Sequence, residues 1–139
     1  MHYAQQSGLP KKAQKCLDLI KKEKTEYFTN IMTIQILHYE FLGPIKLDEW
    51  GPPMDKVVFV ILDRNKDLFN IIYIDQSEKT TENDFFTKHK KFKCWINHAG
   101  SERNLYLSIY PMMDSDEKER QKLVNKALER YKPVCNMED

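Results

Sequence analysis

The stretch from Lys56 to Asp75 constrains this chain more than any other. Two runs rich in β-branched and aromatic residues, Val57-Val58-Phe59-Val60-Ile61-Leu62 and Phe69-Asn70-Ile71-Ile72-Tyr73-Ile74, flank the polar turn Asp63-Arg64-Asn65-Lys66-Asp67. That is the pattern of a β-hairpin. A half-wetted sheet would alternate apolar and polar residues. These runs are apolar almost without interruption, so the hairpin is expected to be covered on both faces and to form the centre of the core.

A chain of 139 residues can bury such a core as one compact unit without covalent staples. A charged fraction of 31% with net charge +1 excludes a basic nucleic-acid arm or an acidic tail and by itself names no partner. No apolar run is long enough to cross a bilayer, and residues 1–8 lack the apolar centre of a secretion signal. The expected location is cytoplasmic, with no membrane partner. The three cysteines, Cys16, Cys94 and Cys135, are an odd number at long spacings, which indicates neither a disulfide framework nor a zinc clip. Reduced, mostly buried thiols are expected.

The remaining elements follow in order. Pro10 opens a helix whose apolar face carries Ala13, Cys16, Leu17, Ile20 and Tyr27, with a solvated lysine face opposite. Thr33 to Phe41 reads as a strand, with His38 in its apolar register as a core histidine. Gly43-Pro44 punctuates, Trp50 is placed as a lid over the hairpin's end, and Gly51-Pro52-Pro53 forms a seam. The seam divides an N-terminal helix-and-strand extension, residues 1–50, from a compact unit, residues 51–139.

Thr81 and Asp84 have capping-box spacing, and Phe85, His89, Phe92 and Ile96 then recur as a helix that Gly100 ends. Phe86 and Trp95 stand beside that stripe. The other side carries Lys88, Lys90, Lys91 and Lys93, and Arg103 follows. Leu105 to Tyr110 is a strand stopped by Pro111. Asp114 and Glu117 take the cap and first turn of a last helix, which runs through Leu123, Val124, Ala127, Leu128 and Tyr131 to Pro133. The fold class is α/β in the α+β sense, in the order helix, strand, hairpin, helix, strand, helix. Generic catalytic motifs are missing from it. His89, Cys94 and His98 read as facing different sides of one helix, so no metal is assigned to them.

Laid out in this order, residues 56–136 resemble the GIY-YIG domain, a small three-stranded sheet flanked by helices. Its two short motifs would be Val57-Val58-Phe59 and Tyr73-Ile74-Asp75, and the ending Tyr131-Lys132-Pro133-Val134-Cys135-Asn136 is similar to the family's proline followed by asparagine. Family members with nuclease activity use tyrosines on the hairpin, an arginine on the first helix, a nearby histidine or tyrosine, and a glutamate on the last helix that holds a divalent metal. Hydrolysis of a phosphodiester needs a base, a cation for the charge of the transition state, and a metal at the leaving oxygen.

Carried onto this chain, the first tyrosine becomes Phe59, which has no hydroxyl, and the glycine after Ile74 becomes Asp75. The arginine position falls on Phe85 or Asn83, and the glutamate position on Val124 or Gln121. What the resemblance implies is therefore a degenerate, non-catalytic domain without a cofactor. Phe59, Tyr73, His89 and Asn136 remain as vestigial site residues, and Lys88, Lys90, Lys91, Lys93 and Arg103 would meet the phosphates of DNA or RNA. Two alternatives stay open: an endonuclease dependent on Mg or Mn that uses Glu119 or Glu129, and a protein-interaction module for a protein partner or a homodimer.

Overall fold

The computed structural model describes residues 3–4, 32–49, 54–79 and 85–138. The expected N-terminal helix with Cys16, the Trp50 lid, the Gly51-Pro52-Pro53 seam, Asn83 and the Thr81–Asp84 capping box lie outside the described residues. The strands are β1 (Tyr3–Ala4), β2 (Thr33–Ile36), β3 (Tyr39–Lys46), β4 (Asp55–Asn65), β5 (Leu68–Lys79) and β6 (Leu105–Pro111). They form one sheet in the order β1-β2-β3-β6-β4-β5, with every neighbouring pair antiparallel. The helices are α1 (Phe92–Ala99), α2 (Glu117–Tyr131) and the single turn α3 (Val134–Met137). Among the described residues, no helix is long and apolar enough to cross a membrane.

The hairpin forms as the apolar runs predict. Residues 57 to 62 are at most 1% exposed, with Val57, Phe59 and Ile61 on one face and Val58, Val60 and Leu62 on the other. The first face packs under Phe86, Trp95 and Cys135, and the second under Leu123, Val124 and Ala127 of α2. The result is a sheet between two helical layers, an α+β architecture. The sheet is wider than the expected three strands because β2 and β3 join it through β6. All seven residues of β6 are buried, since it is hydrogen-bonded between β3 and β4 and covered above and below.

Four local expectations change. Thr33 to Phe41 is not one strand: Leu37, at φ 58°, and His38 make a tight turn, and His38 is exposed at its tip. Folding back lets Ile34, Ile36 and Phe41 all enter the α2-side core, while the Leu37 amide donates to the Tyr131 hydroxyl at 2.9 Å. Gly43-Pro44 lies inside β3, at an irregularity between Leu42 and Ile45, rather than ending a strand. Residues 85–91 are turns, and helix begins only at Phe92. There the His89 Nδ1 accepts the Lys91 amide at 3.0 Å, a side-chain bond that competes with helical pairing. Asp116, not Asp114, caps α2, in a reciprocal capping box with Glu119.

Within β5, Ile61 pairs with Tyr73 but Leu62 pairs with Ile71, so Ile72 is an inserted residue. The insertion breaks the strand's alternation and puts Ile72 and Tyr73 on the same face. It thereby aims Tyr73 at the 85–99 layer.

Candidate functional site

Phe59, Tyr73 and His89 meet on the face covered by α1. The Tyr73 ring lies 6.1 Å from that of Phe59 and 5.3 Å from that of His89, and His89 stacks on Trp95 at 4.9 Å with 30° between planes. Phe85 and Phe86 close the group, edge-on to Phe59. Asn136 joins through the backbone: its Oδ1 accepts the Ile74 amide and its Nδ2 donates to the Ile74 carbonyl, both at 2.9 Å. Among the described strands β5 is an edge of the sheet, and this side chain completes pairing that a neighbouring strand would otherwise supply. The C-terminal segment thus holds the middle of Tyr73-Ile74-Asp75.

Phe59, Tyr73, Phe86 and Trp95 of this group are buried, and burial governs its electrostatics. The Tyr73 hydroxyl donates to Asp75 Oδ2 at 3.0 Å, and Asp75 Oδ1 accepts the Gln76 amide at 2.8 Å. Burial, followed by the charge and hydrogen bond of Asp75, pushes the Tyr73 phenol far above its usual range. No phenolate is available as a base. Burial lowers the His89 imidazole below its ordinary value, with Lys90 and Lys91 adding to the effect and Asp75 opposing it. Because Nδ1 accepts the Lys91 amide, the neutral ring keeps its proton on Nε2.

His89 therefore binds a proton less readily in the folded chain than in the unfolded one. Its contribution to stability is complete above the unfolded value of about 6.5 and is lost as pH falls through that value toward the lower folded one. Thermal unfolding from pH 8 to 5 should show a stability decline of which a His89→Gln variant lacks the part due to this residue. Parallel profiles for the two proteins would contradict the assignment.

Of the basic residues, Lys88, Lys90 and Lys91 flank His89 in sequence, while Lys93 lies on α1 and Arg103 beyond its C-terminal end. Lys88, Lys90 and Lys93 are exposed on the 85–91 turns and the start of α1, and Arg103 is exposed on the 3-10 turn Glu102–Asn104 after it. Lys91 is half-buried, and its Nζ donates to the Glu138 carbonyl. The glutamates of the nuclease alternative are placed differently. Glu119 closes the α2 capping box, Glu129 is exposed, and α2 packs on the other face of the sheet from Tyr73 and His89. Val124 is 2% exposed among the α2-side core residues, and the Gln121 amide donates to Asn125. A groove of about 300 Å³, lined by Tyr39, Tyr110, Lys122 and Lys126, also lies on the α2 side.

Three features were not read from the sequence. Cys94 and Cys135 form a disulfide with Cα atoms 5.9 Å apart, in place of the expected free thiols. The pairing spans 41 residues and depends on where α3 turns, so spacing carries no trace of it. Cys94 and His98, four residues apart, share one face of α1, whereas His89 precedes the helix and points into the aromatic group. Lastly, Arg120 is buried at 1% exposure. Its position on the apolar side of α2, one turn before Leu123 and Val124, was the available signal. Comparison with protein-family models, with curated proteins and with solved structures finds no match for the chain.

Proposed function

We propose that this domain is a degenerate, non-catalytic GIY-YIG-like domain of the cytoplasm that binds nucleic acid. In this reading Lys88, Lys90, Lys91, Lys93 and Arg103 face phosphates, with half-buried His89 among the lysines and buried Tyr73 beneath it as the remnant of the old cleft. The observation that carries it is the placement of exposed Lys88 and Lys90 on either side of His89, which packs on a buried aromatic group reaching the edge strand β5. Support for the family likeness comes from Asn136, whose side chain grips Ile74 at the centre of the second motif. Support for the loss of catalysis comes from Phe59 in the core, Tyr73 tied to Asp75, and Glu119 engaged in its cap. Hydrolysis needs a base, a charge-stabilising cation and a metal ligand acting as a unit, so the loss of any one of them already costs most of the rate.

The test is fluorescence anisotropy with labelled single-stranded and duplex DNA and RNA at low and moderate salt, with magnesium or manganese present and the products run on a denaturing gel. The expected result is salt-sensitive binding with intact products. Reversing Lys90, Lys93 and Arg103 to glutamate should weaken binding about tenfold or more, and each lost phosphate contact should reduce the slope of log K against log salt by about 0.7–0.9. Metal-dependent cleavage that disappears in Glu119→Gln or Glu129→Gln would establish the endonuclease instead. Absence of binding to all four probes would direct the search to a protein partner or a second copy.

A further inference from the structure

Beyond the nucleic-acid reading, a second group of side chains converges along another face of α1. Cys94 and His98 project from one face of that helix, one turn apart. Cys135 and Glu138 come from α3 and the residue after it. The two sulfurs and a ring nitrogen of His98 all lie within 4.8 Å of one another. Glu138 reaches both partners on α1, with Oε1 3.1 Å from His98 Nε2 and Oε2 3.2 Å from Cys94 Sγ. The Lys91 ammonium holds the main-chain carbonyl of Glu138 from the α1 side.

A disulfide alone accounts for two of these four side chains. Its sulfurs carry no proton to donate, so the Glu138 carboxylate beside Cys94 gains no hydrogen bond from the oxidised pair. Two thiols, an imidazole and a carboxylate, supplied as Cys-x-x-x-His from one helix and Cys-x-x-Glu from another, make a complete four-donor set for a tetrahedral ion. With metal–sulfur bonds of about 2.3 Å and metal–nitrogen or –oxygen bonds of about 2.0–2.2 Å, donors in such a cage are separated by roughly 3.3–3.8 Å. The carboxylate contacts are already close to that spacing. The sulfurs have to part, and the spacing of up to 4.8 Å among Cys94, His98 and Cys135 has to settle into that range.

We propose that, once the Cys94–Cys135 bond is reduced, Cys94, His98, Cys135 and Glu138 bind one thiophilic divalent cation of the zinc class. A dithiol reductant supplies two electrons and two protons and leaves as its own disulfide, while the S–S bond breaks to give two thiols. As the cation binds, two metal–sulfur bonds form and the two thiol protons pass to solvent. Thiolate and imidazole donors select zinc over magnesium or calcium. Two thiolates and one carboxylate leave the filled site with a single negative charge, beside Lys91. His98 and Glu138 are partly solvent-exposed, with side-chain exposures of 34% and 51%, and Cys94 is half-buried whereas Cys135 is fully buried, so a reductant approaches the bond from the Cys94 side. Whichever bond occupies it, the link fastens α1 to α3, and α3 carries Asn136.

The test uses the full chain, reduced with a phosphine that does not compete through sulfur, and titrated with Co²⁺. One equivalent should develop thiolate-to-cobalt charge-transfer absorption and the intense visible bands of tetrahedral cobalt, and Zn²⁺ should discharge both. The oxidised chain should show neither. Cys94→Ser and Cys135→Ser should abolish the signal, Cys16→Ser should keep it, and His98→Ala and Glu138→Gln should each weaken Co²⁺ binding about tenfold or more. The proposal is overturned by a reduced wild-type chain without charge-transfer bands, by bands that survive Cys94→Ser, or by unchanged affinity in either His98→Ala or Glu138→Gln. The last two variants alter partly exposed side chains, so they decide the matter even where a cysteine variant does not fold.

Discussion

Gly43→Ala is expected to lower the unfolding free energy by about 3 kcal/mol, among the largest single-residue effects on this chain. Gly43 sits at φ 105°, a region that residues with a Cβ rarely adopt, where β3 slips its register against β6. A Cβ there would stand 2.7 Å from the Leu107 carbonyl oxygen, 3.1 Å from the Ile45 amide nitrogen and 3.2 Å from Ser108 Oγ. Two of those three neighbours are backbone in the middle of a buried sheet, so neither can swing aside. Gly100 provides the control. It also has positive φ, at 85°, but nothing lies within 4 Å of the point a Cβ would occupy. Gly100→Ala should therefore show the conformational penalty alone, about 1 kcal/mol. Urea denaturation of both variants separates strain from collision. Equal losses at the two sites would mean that the β3 irregularity relaxes around a methyl group.

Arg120→Ala is expected to cost about 3–4 kcal/mol, and Arg120→Met about half as much. The sign is not obvious, because burying a guanidinium is itself unfavourable and its removal relieves that penalty. Here the opposing losses are larger. Arg120 Nε donates to Gln76 Oε1 at 2.9 Å, and Nη1 donates to the Ser115 carbonyl at 2.9 Å and to Ser115 Oγ at 3.0 Å. Ser115 is 4% exposed, so truncation strands its acceptors away from water as well as opening a void the size of a long side chain. Methionine refills most of the volume but none of the hydrogen bonds, and the difference between the variants measures the packing part. Denaturation midpoints at unchanged m-value give both numbers. An Arg120→Ala chain as stable as the wild type would show that the desolvation penalty dominates.

Where short-range chemistry decided the structure, the sequence was legible. The β4 run could not have been placed anywhere but between two layers, and the spacing of Leu123, Val124, Ala127 and Leu128 fixed which side of α2 is buried. Phe59, Tyr73 and His89 are brought together because hairpin pairing and aromatic packing fix their neighbourhood. What escaped depended on distant partners or on single residues that offset a pattern. Ile72 shifts the phase of β5, Leu37 reverses the chain within a run of strand-forming residues, and His89 takes a backbone amide that a helix would have used. The Cys94, His98, Cys135 and Glu138 group was hidden for a further reason. Half of it stands beyond Pro133, where a single turn of helix decides whether Cys135 faces inward.

The central place of β6 has a consequence for how the chain is made. The β2–β3 and β4–β5 hairpins are both complete in sequence before Leu105, yet in the sheet they touch only through the strand that begins there. A ribosome delivering this chain in order therefore first releases two separate hairpins, each with an apolar, unpaired edge meant for the same late-arriving strand. Until residues 105–111 emerge, the nearest competitor for those edges is another unfinished copy. Fragments that stop just short of Leu105 should therefore precipitate, while chains that include β6 and α2 have both edges closed and the second face covered.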